Sequence, residues 1–125
     1  MLDGGCHCGA IRYRVDEGAA DNHALCHCAD CRHCAGAPVV GWMQVPESAL
    51  ELTEGEPAVY ASSEHGRRSF CAVCGPGIVD IQSATFDDGQ ATVPAPGAHI
   101  QVADRLGWMA GTESLPEFAR YPGMD

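Results

Sequence analysis

Eight cysteines, seven of them grouped in short motifs, constrain this chain more than any other feature of its sequence. The motifs are a C-x-C pair, a C-x-C-x-x-C group and a C-x-x-C pair, formed by Cys6 and Cys8, by Cys26, Cys28 and Cys31, and by Cys71 and Cys74. Each spacing places thiolates on one side of a tight turn, which suits the ~2.3 Å bonds of tetrahedral zinc. Gly75, after the last cysteine, permits the left-handed backbone that such a turn needs. The motifs therefore indicate bound metal.

The spacing divides these cysteines between two sites. Four form a closed site that joins segments far apart in the sequence: Cys6, Cys8, Cys71 and Cys74. Three form a second site with an open fourth position: Cys26, Cys28 and Cys31. Three protein ligands plus water or substrate distinguish catalytic zinc from structural zinc. Cys34, three residues further on, is a fourth ligand, a reactive thiol beside the site or a small buried residue, and a fourth ligand would favour a scaffold over an enzyme.

Other uses of the cysteines are less consistent with the sequence. Cysteines one or two residues apart seldom reach disulfide geometry, and the first residues, MLDGGCHCGA, lack the features of a secretory leader. A thioredoxin-like role for Cys71 and Cys74 would need a helix start, but β-type residues flank the pair. An iron–sulfur cluster stays open as an alternative, with thiolates from Cys26, Cys28, Cys31 and Cys34.

Charge and length exclude several classes of function. The 125 residues carry a net charge of −10, and all 7 basic residues are arginines, which is a poor basis for binding phosphate backbones. No apolar run approaches the ~20 residues that span a bilayer. We therefore expect no nucleic-acid or membrane partner, one domain over residues 1–125, and a cytoplasmic location in which thiols stay reduced.

The residue pattern predicts a mainly β fold with little helix. Ile11–Val15 alternates apolar and polar residues, as a half-buried strand does. Further strands are expected at His23–Cys28, Val39–Val45, Ala58–Ser62, Arg67–Phe70, Ile78–Ile81 and His99–Ala103. The remaining predictions are a short helix at Pro46–Leu52, a tight cysteine-rich turn closing near Gly36, a turn at residues 87–89 and an irregular segment at Trp108–Tyr121.

Several sequence motifs resemble the glutathione-dependent formaldehyde-activating (Gfa) family, whose domain is shared with centromere protein V. The resemblance covers nearly the whole chain and is carried by GGCHCGAIRYRV at residues 4–15, CHCADCRHCAGAP at 26–38 and RRSFCAVCG at 67–75. A looser part runs from TFDD at 85–88 to Tyr121. Three cysteine motifs in this order with these neighbours are highly specific.

The resemblance implies a β-tent, in which folded β-sheets surround a zinc knuckle, with two zinc ions per chain. The family's structural ligands match Cys6, Cys8, Cys71 and Cys74, and its catalytic ligands match Cys26, Cys28 and Cys31. Its named activity joins glutathione to formaldehyde and is classed as a carbon–sulfur lyase. Arg32 follows the catalytic motif and either contacts a glutathione carboxylate or offsets the charge of the zinc site.

This sequence departs from the family pattern at two places, and it leaves other functions open. Pro76 replaces the usual small polar residue after the last C-G pair, and Cys34 is an additional thiol. The alternatives are an enzyme of the same fold with a different thiol or electrophile, and a non-enzymatic zinc module that binds a protein. Arg67 and Arg68 read as surface charges of a strand.

Overall fold

A computed structural model describes residues 1–19, 22–78, 80–88 and 93–123. In these ranges the fold is mainly β, as the sequence predicts, with one α-helix and several 3-10 turns. The strands are β1 (Leu2–Gly5), β2 (Arg12–Val15), β3 (Asn22–Cys26), β4 (Val40–Gln44), β5 (Leu50–Glu54), β6 (Ala58–Tyr60), β7 (Arg68–Phe70), β8 (Ile81–Gln82) and β9 (Ala98–Ile100). No helix in these ranges is long and apolar enough to cross a membrane.

The first sheet joins β1, β2 and β5 in antiparallel pairs. In β2, Tyr13 and Val15 are buried while Arg14 is exposed, which confirms the predicted alternation. The ring of Tyr13 meets Phe86 edge to face with centroids 5.6 Å apart, and its hydroxyl lies 2.7 Å from Thr85 Oγ1. This face of the sheet therefore packs into the interior and holds the segment that carries Thr85 and Phe86.

The second sheet has the order β8-β4-β3-β9, with β3 antiparallel to β4 and parallel to β9. Helix α1 (Ala29–Ala35) follows β3 after two residues. Its N-cap is Cys28, and it ends at Gly36, whose φ of 62° is the left-handed conformation that favours glycine. The end of a strand and the start of a helix therefore present the middle cysteine motif.

Buried residues form two clusters, and cysteines belong to both. The main core comprises Leu2, Cys6, Ile11, Tyr13, Val15, Met43, Cys71, Ile78, Ile81 and Phe86. The smaller core comprises Cys26, Cys31 and Val40, with Trp42 packed against it. Because cysteines belong to both cores, a metal bound to them would also stabilise the packing of these cores.

The prediction of a tight cysteine-rich turn closing near Gly36 is wrong, because residues 29–35 form α1. Two contacts satisfy the backbone at its start. The N–H of Cys31 donates to Cys28 Sγ over 3.2 Å, and the N–H of Ala29 donates to Asp104 Oδ2 over 3.2 Å. The second contact comes from a segment 75 residues away, so local pattern does not reveal it.

Of the helix of one or two turns predicted at Pro46–Leu52, only a single 3-10 turn forms. A 3-10 turn at Glu47–Ala49 leads directly into β5. Leu50 pairs with Val15 of β2, and this sheet pairing outweighs the local helical preference of the segment. The predicted hairpin of Ala58–Ser62 and Arg67–Phe70 is confirmed, with the shorter strands β6 and β7.

Three remaining predictions differ from the structure in extent. Ile78 lies in a turn and β8 begins at Ile81, with Val79 outside the described residues. The strand predicted at His99–Ala103 ends at Ile100, before a 3-10 turn. The segment predicted as irregular begins as a 3-10 helix at Gly107–Ser114. Of the turn predicted at residues 87–89, Gly89 lies outside the described residues.

Candidate metal centres

The structure brings Cys6, Cys8, Cys71 and Cys74 together, and we call them the four-cysteine cluster. All four Sγ atoms lie within 4.8 Å of one another. Cys6 Sγ is 3.6 Å from Cys8 Sγ, which is 3.7 Å from Cys71 Sγ. A tetrahedron of sulfurs at zinc–sulfur distances of ~2.3 Å has edges of about 3.8 Å. The donor set therefore fits a four-coordinate thiolate metal such as zinc.

Backbone amides surround these thiols at both ends of the cluster. The N–H of Ile11 donates to Cys6 Sγ over 3.3 Å, and the N–H of Cys8 donates to Cys74 Sγ over 3.4 Å. Backbone hydrogen bonds from Cys74 and Val73 lower the pKa of Cys71 to about 6. Amides directed at sulfur favour the thiolate, which is the form that binds metal.

The backbone between Cys71 and Cys74 closes as a knuckle. The N–H of Gly75 donates to the carbonyl of Cys71 over 2.9 Å, and the N–H of Cys71 donates to the carbonyl of Pro76 over 3.1 Å. Gly75 has a φ of 105°, which a side chain would strain. The Gly75–Pro76 step that departs from the family pattern is thus part of this knuckle.

Cys26, Cys28 and Cys31 form a second group, the three-cysteine cluster, whose Sγ atoms also lie within 4.8 Å of one another. Cys26 ends β3, Cys28 caps α1 and Cys31 lies in the first turn of α1. The thiol of Cys34 is not part of this group and is exposed.

Cys28 and Cys31 of the three-cysteine cluster differ in acidity. Burial opposes ionisation of Cys28, but hydrogen bonds from the Cys31 thiol and backbone lower its pKa overall. Burial and the hydrogen bond to Cys28 raise the pKa of Cys31 to about 12. Two adjacent thiolates repel each other in a poorly hydrated place, and a divalent cation removes that repulsion. The cluster therefore fits a metal better than three free thiols.

Arg68 of β7 supplies positive charge beside this cluster. Its Nη2 lies 3.9 Å from Cys31 Sγ and forms an ion pair with Asp30. Its guanidinium carbon lies 5.9 Å from the centroid of the Trp42 ring. The Arg68 side chain is only 23% exposed, so its interpretation as a surface charge is wrong. Arg68 and Phe70 share one face of β7. Because Phe70 is apolar, this alternation was the sequence signal that the face of β7 carrying Arg68 is partly buried.

Two neighbouring cavities meet at Arg68. The polar cleft, of about 350 Å³, is lined by Asp30, Cys31, Ser62, Ser63 and Arg67. The apolar cavity, of about 330 Å³, is lined by Cys34, Tyr60, Phe70, Gly75 and Gly77. Trp42, Arg68 and Asp80 line both. The three-cysteine cluster thus borders an accessible space through Cys31.

Arg32, the predicted carboxylate contact, lies elsewhere. It is half-buried and lines a separate groove with Pro38 and Trp108. It is not among the residues that line the polar cleft or the apolar cavity. The structure therefore does not bring Arg32 to the space beside Cys31, and its role stays a prediction.

Buried His27, which lies between Cys26 and Cys28 of the three-cysteine cluster, contacts His99, which is exposed. His27 Nε2 lies 2.9 Å from His99 Nδ1, and the N–H of His27 donates to the carbonyl of Ile100 over 3.1 Å. Burial lowers the pKa of His27, so the ring is neutral at physiological pH. These contacts fasten the segment between Cys26 and Cys28 to β9.

Comparison with known proteins bears on both the sequence motifs and the fold. The family model described as glutathione-dependent formaldehyde-activating enzyme matches residues 1–104. The crystal structure of a Rhodobacter sphaeroides protein has a similar fold, with a TM-score of 0.57 and 18% sequence identity. That likeness covers 78% of this chain and 98% of the other. At this level of identity it concerns the fold alone.

Proposed function

The chain belongs to the glutathione-dependent formaldehyde-activating enzyme family, and from this premise we propose that it is a zinc-dependent enzyme of the carbon–sulfur lyase type. It joins a thiol, with glutathione as the first candidate, to a small aldehyde, of which formaldehyde is the simplest. The observation that carries the proposal is the three-cysteine cluster, whose Cys31 borders the polar cleft. A reducing compartment such as the cytoplasm would keep these thiols available.

Two zinc ions per chain have different roles in this proposal. The four-cysteine cluster would hold the first as a closed structural site, and the three-cysteine cluster would hold the second. The separation of Cys34 from that second group supports an open fourth position. When bound there, zinc supplies a Lewis acid and a place for substrate sulfur or oxygen.

The residues of the polar cleft bind and orient the thiol, and Arg68 at its wall faces the aldehyde carbonyl. Arg67 lines the cleft beside Ser62 and Ser63, and its guanidinium suits a glutathione carboxylate. Arg68, next to Cys31, places positive charge where the aldehyde oxygen becomes negative. The thiolate sulfur attacks the carbonyl carbon, the π electrons move to oxygen, and that oxygen takes up the proton the thiol released. The product is a hemithioacetal, with no oxidant or reductant consumed.

Exchange spectroscopy by two-dimensional NMR tests the activity with glutathione, formaldehyde and the zinc-loaded protein. We expect the exchange between free and glutathione-bound formaldehyde to be faster with the protein than without it. Cys28→Ser should abolish the acceleration, because serine still caps α1 but a hydroxyl replaces the thiolate ligand. Cys34→Ser is the matched control and should retain it. If the wild-type protein fails to accelerate the exchange with glutathione and with every other low-molecular-weight thiol tested, the proposed reaction is wrong.

The alternative function that makes a different structural prediction is a non-enzymatic zinc module that binds a protein partner. It requires the second site to be closed by a fourth protein ligand, for which Cys34 is the nearest candidate by sequence. X-ray absorption of the zinc-loaded protein would then show four sulfurs at both zinc ions in the wild type, and loss of one sulfur in Cys34→Ser. An open site predicts the same spectrum for both proteins.

A further inference from the structure

We propose that the apolar cavity holds the hydrocarbon body of the aldehyde, so that the preferred electrophile is an uncharged aldehyde of about six to eight carbons rather than formaldehyde. This inference rests on the proposed function and names its second substrate. Its basis is the apolar cavity, which shares Arg68 with the polar cleft that Cys31 lines. The walls of the apolar cavity carry the rings of Trp42, Tyr60 and Phe70.

The size of the cavity does not match formaldehyde. A cavity of about 150 Å³ holds benzene in an engineered protein, and one water molecule takes up about 30 Å³ of liquid. The apolar cavity measures about 330 Å³. Formaldehyde has two heavy atoms and would leave most of this space unfilled, whereas a phenyl ring or a short alkyl chain would contact the aromatic walls.

The chemistry of the walls favours a neutral occupant. The positive charge of Arg68 is already paired with Asp30, and Asp80 adds a carboxylate at the same wall. A glutathione carboxylate placed among the three rings would lose its hydration without gaining a free cation. In the polar cleft, by contrast, Arg67 Nη1 donates to the carbonyls of Ser63 and Gly66, and the guanidinium pairs with no carboxylate in the described part of the chain, so its charge can meet that of glutathione. The two cavities therefore suit different halves of the reaction, the thiol in one and the aldehyde body in the other.

The wall shared by the cavities is where the two reactants would meet. Arg68 lines both cavities, and its Nη2 lies 3.9 Å from Cys31 Sγ. An aldehyde whose hydrocarbon body occupies the apolar cavity has its carbonyl group at this wall. Thiolate attack there forms the carbon–sulfur bond, and the carbonyl oxygen becomes a hydroxyl by taking up the proton that the thiol released.

Binding can be measured without turnover, using benzyl alcohol as an unreactive stand-in for benzaldehyde. The chain has 2 tryptophans, so Trp108→Phe leaves Trp42 in the cavity wall as the only indole reporter. We expect benzyl alcohol to change this fluorescence saturably and methanol to have no effect at the same concentrations. Tyr60→Ser should weaken benzyl alcohol binding roughly three- to tenfold through loss of one aromatic contact.

The matched control is Tyr121→Ser, because Tyr121 is 72% exposed and does not line the cavity. Tyr60 is itself 56% exposed at the end of β6, so its replacement should not unfold the chain, and Tyr60→Phe should restore binding. If benzyl alcohol binds no better than methanol, or if both serine variants bind alike, the inference is overturned.

Turnover separates this inference from the proposed function. With glutathione, kcat/KM for benzaldehyde should exceed that for formaldehyde, and Tyr60→Ser should lower only the former. Activity with formaldehyde that exceeds activity with benzaldehyde would overturn the inference and leave the proposed function standing. Saturable benzyl alcohol binding that Tyr60→Ser weakens, without turnover of any aldehyde, would retain the cavity as a site for apolar molecules and refute the reaction.

Discussion

Replacement of Cys8 by serine should release metal from the four-cysteine cluster and destabilise the fold. The Cys8 side chain is exposed, so the substitution removes little apolar packing. Its Sγ lies 3.6 Å from that of Cys6 and 3.7 Å from that of Cys71, within the shell that a metal would occupy. A serine hydroxyl is a much weaker ligand than a thiolate for zinc. The effect on stability therefore reports the metal bond.

The expected magnitude follows from the loop that the cluster closes. Cys8 and Cys71 are separated by 63 positions. Closing a loop of that length with a cross-link restricts the unfolded chain by about 4 kcal/mol at 25 °C. Loss of the metal should therefore lower the free energy of unfolding by at least that amount. This is a large part of the ~5–15 kcal/mol by which domains are stable.

Urea unfolding followed by circular dichroism, together with zinc content per chain, measures both effects. Cys34→Ser is the control, because Cys34 is also exposed but belongs to neither cluster. It should keep the wild-type zinc content and differ in stability by less than about 0.5 kcal/mol. If Cys8→Ser retains the same zinc and the same urea midpoint as Cys34→Ser, the closed four-thiolate site is refuted.

Two further predictions concern the sheet around β2. Tyr13→Phe removes the hydrogen bond between the buried Tyr13 hydroxyl and the half-buried Thr85 hydroxyl, which keeps its bond to the carbonyl of Gln82. The change should cost about 1 kcal/mol, and a urea midpoint no lower than that of the exposed control Tyr121→Phe would contradict this. The hydrogen bond from Arg12 lowers the pKa of Asp87, so its stabilising effect is present above the ordinary value of about 3.9 and disappears as pH falls through the lowered value. In Asp87→Asn, the free energy of unfolding should therefore depend less on pH in that acid range. An unchanged acid unfolding profile would show that this ion pair does not contribute to stability.

The cysteine clusters were the most predictable part of the molecule, because their spacing is itself the chemistry. The short spacing alone brings Cys71 and Cys74 together on one knuckle, and Cys28 and Cys31 together at the first turn of α1. The pairing of distant motifs came from the family resemblance and from the need for four ligands. The alternating strand β2 was equally accessible, since a half-buried strand carries its pattern locally.

What the sequence did not reveal depends on contacts between distant segments. Helix α1 begins where Asp104, far along the chain, accepts the N–H of Ala29. The segment of β5 has a helix-like composition and becomes a strand because β2 offers an edge. Arg68 looks like any surface arginine until Trp42 and Asp30 pack around it. Cavities belong to the same class, because no local pattern encodes a space between segments.

Strand β7 links the two cysteine clusters in a way that restricts insertions and deletions. It begins at Arg68, which contacts Cys31, and Cys71 of the four-cysteine cluster follows its last residue directly. Successive side chains in a strand point to opposite faces. One residue inserted in β7 would therefore turn the guanidinium away from Cys31 while leaving every cysteine motif intact. The distance in sequence from Arg68 to Cys71 is thus as restricted as the spacing within a cysteine pair. A homologue that alters it would keep both cysteine clusters but lose the positive charge beside the three-cysteine cluster.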